Sequence, residues 1–347
     1  MKALVYSPSR RESAYLDLVE LDKPIVSPAS CIVKVSGCGI CGSDLLKLER
    51  SLVKAGTVLG HEMVGEIYDI DPILSEKYSF RKGDRIVSSH HVPCGKCKYC
   101  LNEKESLCEK FKKTNFKPGA FCEFLELSED HLQHTVIKIE EHVSNLAASF
   151  TEPLACCIKA VKKSSLLNYK GEANVVVLGL GSIGILIGKY INQQRNEKKL
   201  NLYGIDPIAH KRNIASDSGF DEVHADLSNL RDSFKADFIF LAAGANACVD
   251  IALSKIADGG TIIVFSSVND EAKAFSNNEI YYKELNIISS YSPNLNDLKE
   301  SYRLISSGDI SVTELISHRA NLENLAETIM RAKAESGLKV YLDLENP

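Results

Sequence analysis

"VVVLGLGSIGILIGKYI", residues 175–191, runs from an unbroken apolar stretch into a helix-length segment through three glycines, Gly179, Gly181 and Gly184. Val175 to Leu178 reads as a strand buried on both faces, and the residues after Gly181 read as a helix. A lone Gly-x-Gly-x-x-Gly is a weak signal. Here a second strand-like run, "LNLYGID", comes next and ends in Asp206, 22 residues past Gly184, which completes the context a dinucleotide-binding turn requires. Gly179 permits the tight turn, Gly181 lets backbone N–H groups approach a pyrophosphate, and Gly184 lets the helix pack closely on the strand. The helix N-terminus then favours the negative charge. Ser182 and Ile183 lie inside the turn and join the predicted cofactor-binding set, as does Lys211. Asp206 is predicted to accept hydrogen bonds from both ribose hydroxyls and to repel a 2′-phosphate, which favours NAD(H) over NADP(H). Lys211 and Arg212 lie near enough in sequence to weaken that preference.

Outward from this turn, between Asn168 and Ser289, further apolar runs ("DFIFLAAG", "GTIIVFSS", "LNIISS") alternate with helix-length segments. That alternation predicts a parallel sheet with crossover helices, an α/β class of fold. Within it the apolar "GTIIVFSSV" fits either a subunit interface, by edge pairing, or the core. From Met1 to about residue 140 the pattern differs: short β-branched runs such as "CIVKVS" and "GEIYDI" are broken by Gly, Pro and Asp, predicting an irregular antiparallel barrel. After "SSYSPN" come helical stretches from Leu295 to Ser307 and from Leu322 to Lys333, then the strand-like "GLKVYLDL". This last run has no local partner and is predicted to return to the first domain's sheet. The predicted division is therefore residues 1–150 with 290–347, and residues 151–289. There is no internal repeat and no low-complexity tract.

The chain has 347 residues, 44% of them hydrophobic and 25% charged, as expected of about two globular domains. A formal net charge of −5 leaves no basic field to hold nucleic acid or an anionic membrane. The first twenty residues lack the apolar run of a signal peptide, and no stretch reaches spanning length, so a cytoplasmic protein is expected. Eleven cysteines are an odd number for a disulfide framework, and reduced thiols and metal ligands fit better.

Four of those cysteines fall in "PCGKCKYCLNEKESLC", residues 93–108. Cys94, Cys97, Cys100 and Cys108 supply enough thiolates to close a tetrahedral zinc shell, so this lobe, residues 93–112, is predicted to be structural. Lys96, Lys98, Lys104 and Lys110 partly offset its charge. A nucleic-acid-reading zinc ribbon is opposed by the acidic setting. A second metal site is assembled from separated pieces: "GCGICGSD" with Cys41, "LGHEMVG" with His61 and Glu62, and "SFTEPLACC" with Glu152. One sulfur, one nitrogen and one or two oxygens hold a zinc ion while leaving a position open. Cys156 and Cys157 come just after Glu152 but are assigned to packing, as are Cys31, Cys38, Cys122 and Cys248. His90 and His91 are assigned a structural or rim role.

The order of these pieces resembles the zinc-dependent medium-chain dehydrogenase/reductase superfamily, and within it the polyol (sorbitol/L-iditol) and threonine dehydrogenase-like branch. The resemblance runs over nearly the whole chain, through Cys-x-x-Asp, Gly-His-Glu, the four-cysteine lobe, Glu-Pro and the glycine turn. It implies a GroES-like β-barrel catalytic domain, a Rossmann domain and an active site in the cleft between them. It implies Cys41, His61 and Glu152 as ligands of a catalytic zinc, with Glu62 as a second acidic group that binds the metal directly or through water. Asp44 would fix the ring of His61, and Ser43 would pass the substrate proton. A homodimer or homotetramer is implied as well.

Hydride cannot leave a secondary alcohol until its oxygen carries negative charge, which zinc at the open position would stabilise. The predicted reaction is therefore reversible oxidation of a secondary alcohol or polyol to the ketone with NAD(+). The rivals are an NADPH-linked reductase of a keto-sugar or sugar phosphate, and a non-catalytic redox sensor that binds the dinucleotide. Three departures from the family pattern stand out. Leu46 replaces a proton-relay histidine, Lys47 replaces a pocket-lining aromatic, and "DIDPILSEKYSFRKGDRI" suggests a rebuilt turn around Asp71. Lys47 is read as a solvated lysine or, if it faces the cleft, as a partner for a substrate phosphate or carboxylate.

Overall fold

The structure, a computed structural model, describes residues 1–195, 199–244, 246–266 and 275–345, with Asn246 and Ala247 described by backbone alone. The chain divides into two compact units, Met1–Pro153 with Asn294–Pro347, and Leu154–Pro293. In the first, β1 (Lys2–Tyr6) and β2 (Leu16–Glu20) form an antiparallel pair, and β3 (Ser30–Gly39), β4 (Glu62–Ile70), β5 (Arg85–Val87), β6 (Phe124–Ser128) and β7 (Ile137–Lys138) build a larger sheet. The second carries β8 (Ala173–Leu178), β9 (Leu200–Ile205), β10 (Glu222–His224), β11 (Ala236–Leu241), β12 (Ile256–Val264) and β13 (Asn286–Ser289). The chain then returns to the first unit with β14 (Ile316–Ala320) and β15 (Lys339–Asp343).

The larger sheet of the first unit runs β14-β15-β3-β4-β5-β7, with β6 also on β3. β3 is its spine. Its first half pairs with β6 (Ser30↔Ser128 to Lys34↔Phe124), and its last residues pair with β15 (Gly37↔Asp343 to Gly39↔Tyr341). Along the other edge it pairs antiparallel with β4, ending at Gly39↔Glu62, with a register shift between Val35 and Gly37. Such a shift bends a strand and re-aims the side chains beyond it. The closing strand expected to come back to the first domain's sheet does so through β15. Its side chains are buried throughout, in keeping with a strand covered on both faces. Around this sheet Val33, Val35, Met63, Ile67, Leu125 and Leu325 share one apolar core.

The second unit is a parallel sheet in the order β10-β9-β8-β11-β12-β13. β8 lies in its middle, paired with β9 and β11, and its end feeds the helix Ser182–Gln193. This is the doubly wound arrangement in which a ligand binds beyond the carboxyl ends of the central strands. Of the two roles open to "GTIIVFSSV", the structure supports the second. β12 is paired on both sides, with β11 and β13, and Ile262 and Ile263 are fully buried. The run is therefore core, as far as the described residues extend; Ser267 and Val268 lie outside them.

The rebuilt turn at Asp71 has a local cause. Asp71 caps a short helix, Pro72–Tyr78: its Oδ1 accepts from the backbone N–H groups of Ile73 at 2.8 Å and Leu74 at 3.2 Å. Pro72 takes the first helical position, where no N–H is needed. The sequence thus continues β4 into a helix instead of a tight glycine turn. Asp71→Ala is expected to lower unfolding stability by about 1 kcal/mol in urea titration and to leave metal content unchanged.

Candidate active site and metal centres

The cysteine lobe folds on itself through short helical turns at Cys100–Asn102 and Glu105–Leu107 and the helix Glu109–Lys113. The four sulfurs lie within 4.8 Å of one another, with Cys97 to Cys100 at 3.6 Å and Cys94 to Cys100 at 3.9 Å. A disulfide needs sulfurs about 2 Å apart, whereas a tetrahedron with zinc–sulfur bonds of about 2.3 Å has edges of about 3.8 Å. The spacing is that of metal ligands, and none of these four cysteines is in a disulfide. Backbone N–H groups of Lys96 and Cys97 point at Cys94 and bring its thiol down to about 6, while burial and its neighbours push Cys100 up to about 12. Of the four lysines, Lys110 is committed to Asp130 at 2.6 Å.

The second centre stands at one end of the β15-β3-β4 edge-to-edge run. β3 ends at Gly39, Cys41 precedes the helix Gly42–Glu49, and His61 and Glu62 begin β4. The ligand atoms of Cys41, His61 and Glu62 lie within 4.8 Å of one another. Asp44, fully buried on that helix, approaches His61 Nδ1 with its Oδ2 at 3.1 Å. This leaves the other ring nitrogen for a metal, the usual division of labour in histidine ligands. Burial works against a charged imidazole, but Asp44 and the Cys41 sulfur hold the His61 pKa well above its ordinary value. A carboxylate and a thiol converging on one imidazole make a site for a cation, and metal binding there would expel a proton. Sulfur, nitrogen and oxygen donors together suit zinc.

The other predicted residues occupy definite places. Ser43 is exposed, its hydroxyl 3.3 Å from the Cys41 sulfur. Glu152 is buried in the first turn of the helix Thr151–Lys163. It does not belong to the trio within 4.8 Å, but its charge is felt by the buried ammonium of Lys339. Lys47 is neither free nor aimed away: its ammonium lies 3.4 Å from Asp44 Oδ1 with the side chain partly exposed. Cys157 is buried with its sulfur against the Ile183 carbonyl, as packing predicts.

Two features are not evident from the sequence. His90 is buried with its ring 4.7 Å from that of His61 and 3.8 Å from that of His91, whose Nδ1 meets the Thr114 carbonyl at 2.6 Å. The histidine pair thus backs the metal ligand rather than lining a rim. Lys339 on β15 pairs with Glu62, and both are buried. A lysine inside an apolar closing strand was the available signal.

In the second unit, Gly179 has φ +94°, open to glycine alone without strain, and a Cβ there would sit 2.7 Å from that of Ala243. A Cβ on Gly184 would lie 1.9 Å from the Gly179 carbonyl oxygen, whereas one on Gly181 would meet nothing within 4 Å. The space over Gly181 is the cradle a pyrophosphate requires. Asp206, buried just past the end of β9, accepts from the Leu180 N–H at 2.8 Å and the Ile208 N–H at 2.9 Å. Its carboxylate is therefore aimed at the turn, and each oxygen keeps a further lone pair. Arg212 is turned back to the carbonyls of Asp206 and Pro207.

Residues 27–140 match the alcohol dehydrogenase GroES-like domain, and residues 187–307 match the zinc-binding dehydrogenase family. The chain belongs to the zinc-dependent medium-chain dehydrogenase/reductase superfamily. Among similar proteins, the sorbitol dehydrogenase of Halalkalibacterium halodurans is 26% identical, the match covering 99% of each chain. The D-arabitol-phosphate dehydrogenase of Enterococcus avium is 26% identical over 98% of this chain and 96% of its own. Acetophenone reductase of Geotrichum candidum in complex with NAD superposes with a TM-score of 0.82 over 100% of this chain and 98% of its own, at 22% identity. Membership makes the chain an oxidoreductase that uses zinc and a nicotinamide dinucleotide. No helix among the described residues is long and apolar enough to cross a membrane.

Two substitutions separate the two units' roles. Cys97→Ser is expected to remove one zinc per chain and lower the urea midpoint, while the folded remainder retains its hydride step in single-turnover measurements. Gly184→Ala is expected to weaken dinucleotide binding about tenfold or more, because the helix must move off the strand, with zinc content unchanged by metal analysis.

Proposed function

We propose that this dehydrogenase oxidises a secondary alcohol or polyol reversibly to the ketone, with NAD(+) as hydride acceptor, at a centre made by Cys41 and His61 with Glu62 and Glu152 as its carboxylates. One catalytic and one structural zinc per chain, and a cytoplasmic homodimer or homotetramer, complete the reading. The observation that carries it is the convergence of the Cys41 thiol, the His61 imidazole and the Glu62 carboxylate at one sheet end, with Asp44 behind the imidazole. A bound zinc ion supplies Lewis acidity toward the carbinol oxygen, and the bound dinucleotide supplies the hydride acceptor.

The chain's own residues do the rest. Asp44 holds the His61 ring in one orientation, and the His90 ring packs beside it at 4.7 Å. Ser43 Oγ, exposed beside Cys41, takes the carbinol proton and releases it toward solvent or a cofactor ribose hydroxyl. This exit does not need the histidine that Leu46 replaces. Asp206 takes the adenosine ribose hydroxyls on its remaining lone pairs, and its charge disfavours a 2′-phosphate.

The test is metal analysis with dinucleotide reduction over a panel of polyols and their phosphates, using NAD(+) and NADP(+) in parallel. Two zinc ions per chain, with reduction faster on NAD(+), are expected. Wild-type protein that holds no zinc removable by Cys41→Ser would reject the mechanism, and a preference for NADP(+) would reject the role given to Asp206.

A further inference from the structure

Ser43 and Lys47 stand four residues apart on the helix Gly42–Glu49, which begins directly after Cys41. Residues at that spacing lie along one face, with Cβ atoms about 5–6 Å apart. Ser43 is exposed, with its hydroxyl beside the Cys41 sulfur. The side chain one turn further along is next in reach for a molecule that docks at Ser43. That side chain is a cation, at a position where the chain departs from its family.

The lysine is turned inward. Its ammonium lies 3.4 Å from Oδ1 of Asp44, a fully buried carboxylate whose other oxygen is 3.1 Å from His61 Nδ1. Burial first, and then neighbouring charges that include Lys47, push His90 and His91 below the ordinary imidazole pKa. A lysine on the solvated side of the helix would reach none of these groups. The side chain is nevertheless 37% exposed, so its ammonium stands between the buried centre and water.

Asp44 does not use this ammonium up. A charge-assisted N–H···O bond is ordinarily about 2.7–2.9 Å long, and the contact here is longer. Asp44 also divides its charge, since it serves His61 as well. An ammonium has three donors, and among the described residues Asp44 is the one partner that Lys47 has. Two donors remain for an acceptor that arrives from solvent. An anion meets them more strongly than a hydroxyl does, and more strongly still once docking excludes water.

We infer that Lys47 is a specificity-determining residue: it binds an anionic group, a phosphate ester or a carboxylate, that the substrate carries a few bonds from the carbinol served by Ser43. The substrate is then an anionic polyol. The inference rests on the proposed oxidation at Cys41 and His61. An ammonium on a flexible stem acts as a point charge, so Lys47 selects for charge more than for shape, and for a phosphate dianion over a carboxylate.

The experiment uses the full chain with zinc bound and compares sorbitol with sorbitol 6-phosphate and gluconate, and xylitol with xylitol 5-phosphate. These phosphates offer secondary carbinols at several separations from the anion. Dinucleotide reduction gives kcat/KM, and calorimetry on protein saturated with NADH gives binding without turnover. In wild type a phosphorylated polyol is expected to exceed its neutral parent ~10-fold or more in both, with gluconate between. The preference should shrink as salt is raised. Lys47→Met is expected to bring the ratio of anion to parent close to one, mainly through KM, and Lys47→Arg to keep it. Any effect that Lys47→Met has through Asp44 falls on both members of a pair and cancels in the ratio. Should Lys47→Met not fold, Lys47→Gln carries the test. A preference, and its loss, confined to gluconate assigns the carboxylate to the site in place of the phosphate ester. A wild type that favours no anionic member over its parent, or a ratio that Lys47→Met leaves unchanged, overturns the inference. Binding of a phosphorylated polyol that depends on Lys47, with no dinucleotide reduction on any member, supports the anion site and rejects the proposed reaction, a separate failure.

Discussion

The antiparallel pairing of β15 with the end of β3 is the constraint on which the candidate centre depends. It puts Tyr341 across from Gly39 and Asp343 across from Gly37, while β4 holds Glu62 on the other side of the same glycine. A slip of one residue in either register would turn Lys339 or Glu62 to the opposite face. A slip would also set the Tyr341 ring against a residue with a Cβ in place of Gly37. The tyrosine at 341 lies over Gly37, where a Cβ would fall 1.9 Å from its hydroxyl oxygen, so β3 carries two bare positions, two residues apart, on one face. Both are filled from β15 or β4.

The two proposed metal centres solve opposite problems with the same element. The lobe takes all four ligands from one short segment and encloses them, so its ion has no place for a further ligand. The other gathers Cys41 from the turn after β3 and His61 and Glu62 from the start of β4. Its donors are therefore placed by strand pairing rather than by one loop. The supporting contacts come from equally separate places: Asp44 from the helix after Cys41, and His90 from the segment leading to the lobe.

Much of this was legible in the residues. The glycine turn, the Asp206 that ends the second strand-like run, the four-cysteine lobe and the return of the closing strand are all local patterns with one dominant physical reading. Cys41, His61 and Glu62 were found through the order of the motifs, and the sheet end brings those three together. The features that escaped were of another kind. Glu62 and Lys339 lie 277 residues apart, and nothing near Lys339 says that it faces a carboxylate. His90 reads as one of a polar pair, but its ring lies 4.7 Å from that of His61, a contact between residues 29 apart that no local pattern announces. Lys47 answers to Asp44 three residues earlier, a helical spacing that could have been read but does not say which neighbour an exposed lysine will choose. The capped helix at Asp71 was visible as a departure, and the Asp-Pro pair is its cause.

The separation of Glu62 from Lys339 also orders the events of folding. Loop closure over so long a span comes late, and long-range strand pairing is slow compared with local turns. On a chain made from its N-terminus, the lobe can clip itself and the parallel sheet between can fold as a unit, while β3 still lacks β15. Until then Glu62 has no ammonium beside it and Gly39 has an empty flank. The pair of Glu62 and Lys339 would form as one of the last acts of assembly.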